Sequence, residues 1–264
     1  MSGNCKVCAS VLGEGRYCPA CGTDSQEGDP GRSDDLLGRI LLDRYEITEL
    51  ISVGGMGLVY RAQHLPLGRS VAVKLIHPHL LSDQDVASRF LIEAQVASRL
   101  NHPNIVSIHD FGRTPACEGG HFILVMELLS GPRLSTILRT EAAMPVARIA
   151  DILCQTLGAL AEVHHHGVTH RDIKPSNLLV ESDRSGGDRI KLIDFGIARL
   201  GSGPRLTRAG QILGTPNYMA PEQMLGKATG PAADLYSVGV LLFRMLTMQL
   251  PFTGETAEEL MAKH

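Results

Sequence analysis

No stretch of the 264-residue sequence approaches the roughly 18 consecutive apolar residues that a membrane-spanning helix requires. The opening Met1-Ser2-Gly3-Asn4-Cys5 lacks the basic and then apolar regions of a secretory signal, so the chain reads as soluble and cytoplasmic. A basic excess is missing too. With 25 Lys and Arg against 28 Asp and Glu the net charge is -3, which removes the electrostatic footprint of a nucleic-acid binder. What remains, 44% hydrophobic and 20% charged residues, suits an enzyme of one or two domains with a sizeable core.

Cysteine is scarce after residue 21, where only Cys117 and Cys154 occur, yet Cys5, Cys8, Cys18 and Cys21 crowd the start. Two Cys-x-x-Cys knuckles nine residues apart offer four thiolates, the closed tetrahedral set of a structural zinc ion. Disulfides or free thiols are the alternatives, and a reducing cytoplasm disfavours the former. The segment resembles a zinc ribbon, a possible docking, regulatory or oligomerisation module, and metal would supply its folding energy. Residues 23–35 contain no Val, Ile, Leu or aromatic residue and read as a flexible acidic linker. The expected division is 1–23 ribbon, 24–38 linker, and a larger domain beyond.

Two later segments carry chemistry: His170-Arg171-Asp172-Ile173-Lys174-Pro175-Ser176-Asn177 and Asp194-Phe195-Gly196. They supply an Asp to receive a hydroxyl proton, a Lys to neutralise a phosphoryl group, and an Asn and an Asp to hold a divalent metal. These residues resemble the catalytic loop and metal-binding motif of eukaryotic-type (Hanks-type) protein kinases, and the architecture resembles bacterial members. The resemblance implies an α+β bilobal fold, with a β-rich N-lobe and hinge over 39–129 and a helical C-lobe over 130–264. In it Asp172, Lys174 and Asn177 are catalytic, Asn177 and Asp194 bind Mg2+ or Mn2+, and Lys174-Pro175 marks the serine/threonine subfamily.

Upstream, Tyr45–Ile51 and Leu58–Ala62 read as strands flanking a glycine-rich turn whose backbone can approach phosphates. In the kinase pattern Gly-x-Gly-x-x-Gly the first glycine falls at Ser52 and the later two at Gly54 and Gly57. That implies nucleotide contacts from Ser52, Val53, Gly54, Gly55, Gly57 and Val59. Alternation in Ser70–Ile76 puts Lys74 on one face with Ala72 and Ile76. The stripe Val86, Phe90, Ala94, Ala97 and Leu100 places Glu93 on an apolar helix face, where a carboxylate needs a partner and Lys74 is the candidate. By resemblance Lys74 contacts the ATP phosphates, Met126 is gatekeeper, and Glu127 and Leu129 offer backbone groups to adenine above Leu179.

A helical stripe of Ile149, Ile152, Leu153, Thr156, Leu157, Leu160 and Val163 ends at His164-His165-His166-Gly167. Adjacent helical positions fan out around the axis, so the histidines read as a helix C-terminus with a glycine cap rather than a metal site. Between Asp194 and Glu222 lies an activation loop by resemblance, with Thr207 as the expected autophosphorylation site and Arg171 as the cation for its phosphate. Residues 234–243 are apolar on nearly every side, as for a helix through a lobe's middle, with Asp234 expected to cap it and to hold the catalytic loop. The resemblance runs from about Arg44 to His264 and stops short of further family helices, so the lower C-lobe is expected to be incomplete.

The leading expectation is a serine/threonine protein kinase using ATP and a divalent cation on protein substrates. A nucleotide-binding pseudokinase or scaffold is the alternative.

Overall fold

The period-2 pattern from Tyr45 onward builds a large antiparallel sheet and, further along, a two-stranded hairpin, and the longer 3.6-period stripes build helices. The computed structural model describes residues 36–54, 57–76, 84–115, 120–141, 143–182, 186–194, 216–254 and 256–264, without the side chains of 84–87, 89, 93 and 257. The cysteine cluster, residues 24–35 of the expected linker, Gly55, Phe195 and Thr207 lie outside the described residues, while Leu36 packs on the sheet's apolar cluster and the Gly38 N–H donates to the Ile47 carbonyl at 2.8 Å. The chain divides into two compact units: the described residues up to Ala87 with Ile108–Leu128, and Ser88–Ser107 with Leu129–His264.

The first unit is a six-stranded sheet of β1 (Ile40–Leu41), β2 (Tyr45–Gly54), β3 (Gly57–His64), β4 (Arg69–Ile76), β5 (Ile108–Arg113) and β6 (Phe122–Glu127). The strand order is β1-β2-β3-β4-β6-β5, every pair antiparallel. Val71, Val73 and Leu75 of β4 join Tyr45, Ile47, Tyr60, Ala62, Ile123 and Val125 in one buried cluster. Each fully buried Val, Leu or Ile among them contributes about 1.5–3 kcal/mol. The opposite face of β4 then belongs to Ala72, Lys74 and Ile76, as alternation requires.

Helix α1 (Gln84–Ala97) runs from the first unit into the second and buries Phe90, Ala94 and Ala97 on one stripe. The Glu93 side chain lies outside the described residues. The rest of the second unit contains α2 (Leu134–Thr140), α3 (Val146–His165), the hairpin β7 (Leu178–Ser182) and β8 (Asp188–Leu192), α4 (Pro221–Met224), α5 (Pro231–Thr247) and α6 (Ala257–Lys263). Helix α3 packs against β8 and α5 through Ile149, Ile152, Leu153, Thr156, Ala159, Leu160 and Val163. It ends at His165 with Gly167 in the left-handed region at φ 73°, as the histidine-glycine run predicted. Leu157, assigned to the stripe from sequence, is instead 40% exposed and Ala159 takes its place.

Helix α5 starts behind Pro231 with Gly230 as N-cap, so Asp234 sits in the first turn and does not cap the helix. Ala233, Asp234, Ser237, Val238, Val240, Leu241 and Met245 are buried, whereas Leu235, Leu242, Phe243 and Leu246 are exposed. Burial therefore covers one side of the helix rather than its whole circumference.

Candidate active site

In the first unit, pairing register decides which side chains share a face, because directly opposed residues point the same way. Lys74 pairs with Val59 on β3 and Leu124 on β6, Ala72 pairs with Met126, and Val59 pairs with Ser52. Ser52, Val59, Ala72, Lys74 and Met126 thus line one face, opposite the apolar cluster. Val53 pairs with Leu58, which packs on that cluster, so Val53 belongs to the other side. Lys74 is buried, at 8% exposure, a position that holds a cation only beside polar or anionic partners. Gly57 has φ 152°, and a Cβ there would lie 1.8 Å from the Leu75 carbonyl oxygen. No other residue fits where β3 meets β4.

In the second unit, the loop from His170 to Asn177 is fixed from below by a buried carboxylate. Asp234 on α5 accepts the His170 N–H at 2.8 Å and the His164 Nε2–H at 2.8 Å on Oδ2, and the Arg171 N–H at 2.7 Å on Oδ1. Three donors offset the cost of burying that charge. They also hold Arg171 at φ 64°, a left-handed conformation that costs a non-glycine residue roughly 1–2 kcal/mol. From the same unit, Gln223 Nε2 donates to the Arg171 carbonyl at 3.1 Å and Arg133 Nη1 to the Ser176 carbonyl.

His170 is neutral, and its tautomer follows from its partners. The Asp172 N–H donates to His170 Nδ1 at 3.3 Å, so the ring proton is on Nε2, which donates to the Ile193 carbonyl at 3.1 Å. Complete burial agrees, pushing the ring below the ordinary value of 6.5 despite the opposing pull of Asp234, Asp172 and Asp194. The Ile193 N–H in turn donates to the Asn177 carbonyl at 3.0 Å. The peptide preceding Asp194 is thereby clamped to both ends of the loop. Asn104 and Val106 exchange backbone bonds with Leu192 at 2.8 and 3.0 Å, which holds the strand from its other edge. Asp194 itself adopts φ 56°.

Two side chains of the loop then converge on one atom. Asp172 Oδ2 accepts from Lys174 Nζ at 2.9 Å and from Asn177 Nδ2 at 2.9 Å. The same Nδ2 donates to the Asp172 carbonyl at 2.8 Å, so the amide's hydrogens face Asp172 and its Oδ1 is the remaining ligand atom. Hard oxygens from an amide and, one clamped peptide away, the Asp194 carboxylate are the donor types that magnesium takes. The donor set fits that cation.

Of the residues singled out from sequence, Asp172, Lys174 and Asn177 come together directly, and Asp194 is tied to them through Ile193. Leu179 lies on β7, where it pairs with Lys191 and forms a bridge with Arg133. Glu127 ends β6 opposite Val71. The contribution of His164 was missed, because a helical period reports a face and not a partner 70 residues away.

A protein kinase domain family model matches residues 45–264. The chain is 42% identical over 236 residues to the serine/threonine-protein kinase Pkn3 of Myxococcus xanthus, covering 88% of this chain and 43% of that protein. It is 39% identical over 229 residues to the serine/threonine-protein kinase PknA of Mycobacterium tuberculosis, covering 86% and 52%. It thus spans about half the length of these relatives. Among solved structures, the PknI kinase domain of Mycobacterium tuberculosis superposes with a TM-score of 0.66 at 28% identity, covering 83% of this chain and 79% of that one. Rad53 in complex with AMP-PNP gives 0.67 at 29%, covering 84% and 53%. With the bilobal fold, the ordered motifs and these relatives in agreement, the chain belongs to the protein kinase family and is similar to its bacterial serine/threonine members.

Proposed function

We propose that the chain transfers the γ-phosphoryl group of ATP to serine and threonine hydroxyls of proteins. The observation that carries this reading is the Asp172 carboxylate, oriented through one oxygen by Lys174 and Asn177 on a loop fixed by Asp234. A hydroxyl presented to that carboxylate gives up its proton to it. The freed oxygen attacks the γ-phosphorus as the bond to the ADP oxygen breaks, and Lys174 meets the charge on the moving group. Lys74, with Glu93 as its partner, holds the ATP phosphates under the strand turn of Ser52, Gly54, Gly55 and Gly57. Val59, Ala72, Met126, Glu127, Leu129 and Leu179 receive adenine, and Val53 contributes backbone only.

Asn177 Oδ1 and the Asp194 carboxylate would hold magnesium or manganese, which when bound neutralises phosphate charge. Neutral His170 keeps Asp194 in place through Ile193 and carries no proton in the reaction. Thr207 takes a phosphate that Arg171 receives, ordering the activation loop. The cysteines Cys5, Cys8, Cys18 and Cys21 form a zinc ribbon that docks partner proteins in the cytoplasm, ahead of a linker over 24–38, an N-lobe over 39–129 and a C-lobe over 130–264. The deciding experiment is phosphate transfer from ATP to a generic basic protein by the full protein and its Asp172→Asn variant. Transfer by the first alone is expected; equal signals from both would leave a nucleotide-binding scaffold.

A further inference from the structure

Residues 130–133 are fastened along β7 as far as the catalytic loop. Glu181 Oε1 accepts the Ser130 N–H at 3.0 Å and the Ser130 hydroxyl at 3.3 Å. The Val180 N–H donates to the Pro132 carbonyl at 2.9 Å, and Arg133 forms a bridge with Leu179. A Cβ at Gly131 would lie 2.1 Å from the Val180 carbonyl oxygen, so only glycine lets the segment run this close to the strand. Beyond Leu179 the fastening passes to a side chain: Arg133 Nη1 donates to the Ser176 carbonyl.

Arginine is a poor choice for the helix it begins. Arg133 is the N-cap of α2, makes no side-chain cap hydrogen bond, and sets a positive charge at the end where a helix favours oxygen acceptors and negative charge. Its side chain serves the loop instead. The carbonyl it holds and the Asn177 N–H, which donates to the Lys174 carbonyl at 3.0 Å, are the two sides of one planar peptide group. That group is therefore pinned from both sides, and Asn177, only 3% exposed, leaves it in one direction. With the amide's Nδ2 turned to Asp172, the pinned peptide decides where Oδ1 points.

We infer that Arg133 is a positioning residue for the divalent cation: by holding the Ser176 carbonyl it aims Asn177 Oδ1, and it acts through Asn177 alone. This rests on the reading of Asn177 as a metal ligand and adds the residue behind it. Removing a partner that orients a metal ligand weakens metal binding by about 10–100-fold. Arg133→Ser removes the guanidinium and gives α2 the cap oxygen it lacks, so metal affinity and helix stability move in opposite directions. An arginine kept only for packing or stability does not produce that split.

The test is Mn2+ binding to the full protein in the presence of ADP, read from the electron paramagnetic resonance of the free ion, beside Tm and the affinity for ADP without metal. Asn177→Ala sets the scale for loss of the ligand itself. Arg133→Ser and Arg133→Met should weaken Mn2+ binding by about 10-fold. Metal-free ADP affinity should not change, and Tm should hold or rise in Arg133→Ser. Arg133→Lys, which keeps a donor for the carbonyl, should recover most of the loss. Unchanged Mn2+ affinity in Arg133→Ser and Arg133→Met, beside weakened binding in Asn177→Ala, overturns the inference and leaves the kinase reading intact. A joint fall of Mn2+ affinity, metal-free ADP affinity and Tm overturns it as well, since that marks a structural arginine. If Asn177→Ala binds Mn2+ as tightly as wild type, the metal assignment itself fails, and the inference falls with it.

Discussion

Asn177 donates to both the Asp172 carbonyl and its Oδ2, at 2.8 and 2.9 Å, so one amide orients the carboxylate proposed as the base and turns its own oxygen outward. Asn177→Ala removes both effects, and kcat/KM should fall by about 100-fold or more, as for loss of one preorganised donor. Asn177→Asp places a second carboxylate beside Asp172. Like charges disfavour joint ionisation, so the acid limb of the pH–rate profile should move to higher pH. Steady-state kinetics from pH 5 to 9 reads both.

Asp234 is a fully buried anion with three donors aimed at it, two of them backbone groups of the catalytic loop. Asp234→Ala leaves those donors without an acceptor, and stability should drop by about 3–5 kcal/mol. Urea unfolding followed by circular dichroism measures the loss. His164→Phe removes one donor from a carboxylate that keeps two, so a loss of about 1–2 kcal/mol is expected.

The glycines of the β2–β3 turn separate by structure. Gly57→Ala forces a methyl group to 1.8 Å from the Leu75 carbonyl, whereas the nearest atom to a Cβ at Gly54 is 3.8 Å away. Gly57→Ala should lower Tm in the absence of ATP by several degrees. Gly54→Ala should leave Tm unchanged and alter only KM for ATP. Differential scanning fluorimetry with and without nucleotide distinguishes them.

Buried His170 stays neutral where the unfolded chain would take up a proton. Its folded value is depressed, so its contribution is complete above the ordinary 6.5 and is lost as pH falls from there toward the folded value. His109 and His264, also lowered by burial, add with the same sign. Stability should decline by at most about 1.4 kcal/mol per pH unit for His170 alone, and His170→Gln should flatten that slope. Urea midpoints at pH 7.5, 6.5 and 5.5 provide the check.

Strand alternation was enough to put Lys74 opposite Val73 and Leu75, because a period of two leaves no choice of face. Val53 was less legible. Register shifts between Ile47 and Glu49 and between Leu50 and Ser52 change which residues of β2 share a face, and no single-strand pattern reveals a bulge. The tie from Asp234 to the catalytic loop was anticipated, yet its capping role was not realised because Pro231 starts the helix three residues earlier. Apolarity around α5 suggested burial on all sides, but composition does not say what covers a face, and Leu235 and Leu246 stand exposed. The clamp on Ile193 uses backbone groups, which sequence does not mark at all.

The most direct measurement is simultaneous: ADP released and phosphoserine plus phosphothreonine formed on an added protein, by the full protein with ATP and magnesium. The two should rise one for one, and both should fall by about 100-fold or more in Asp172→Asn, the scale of a lost general base. ADP release without phosphorylated protein, or equal rates in the two enzymes, would contradict the assignment of Asp172 as the group that receives the hydroxyl proton.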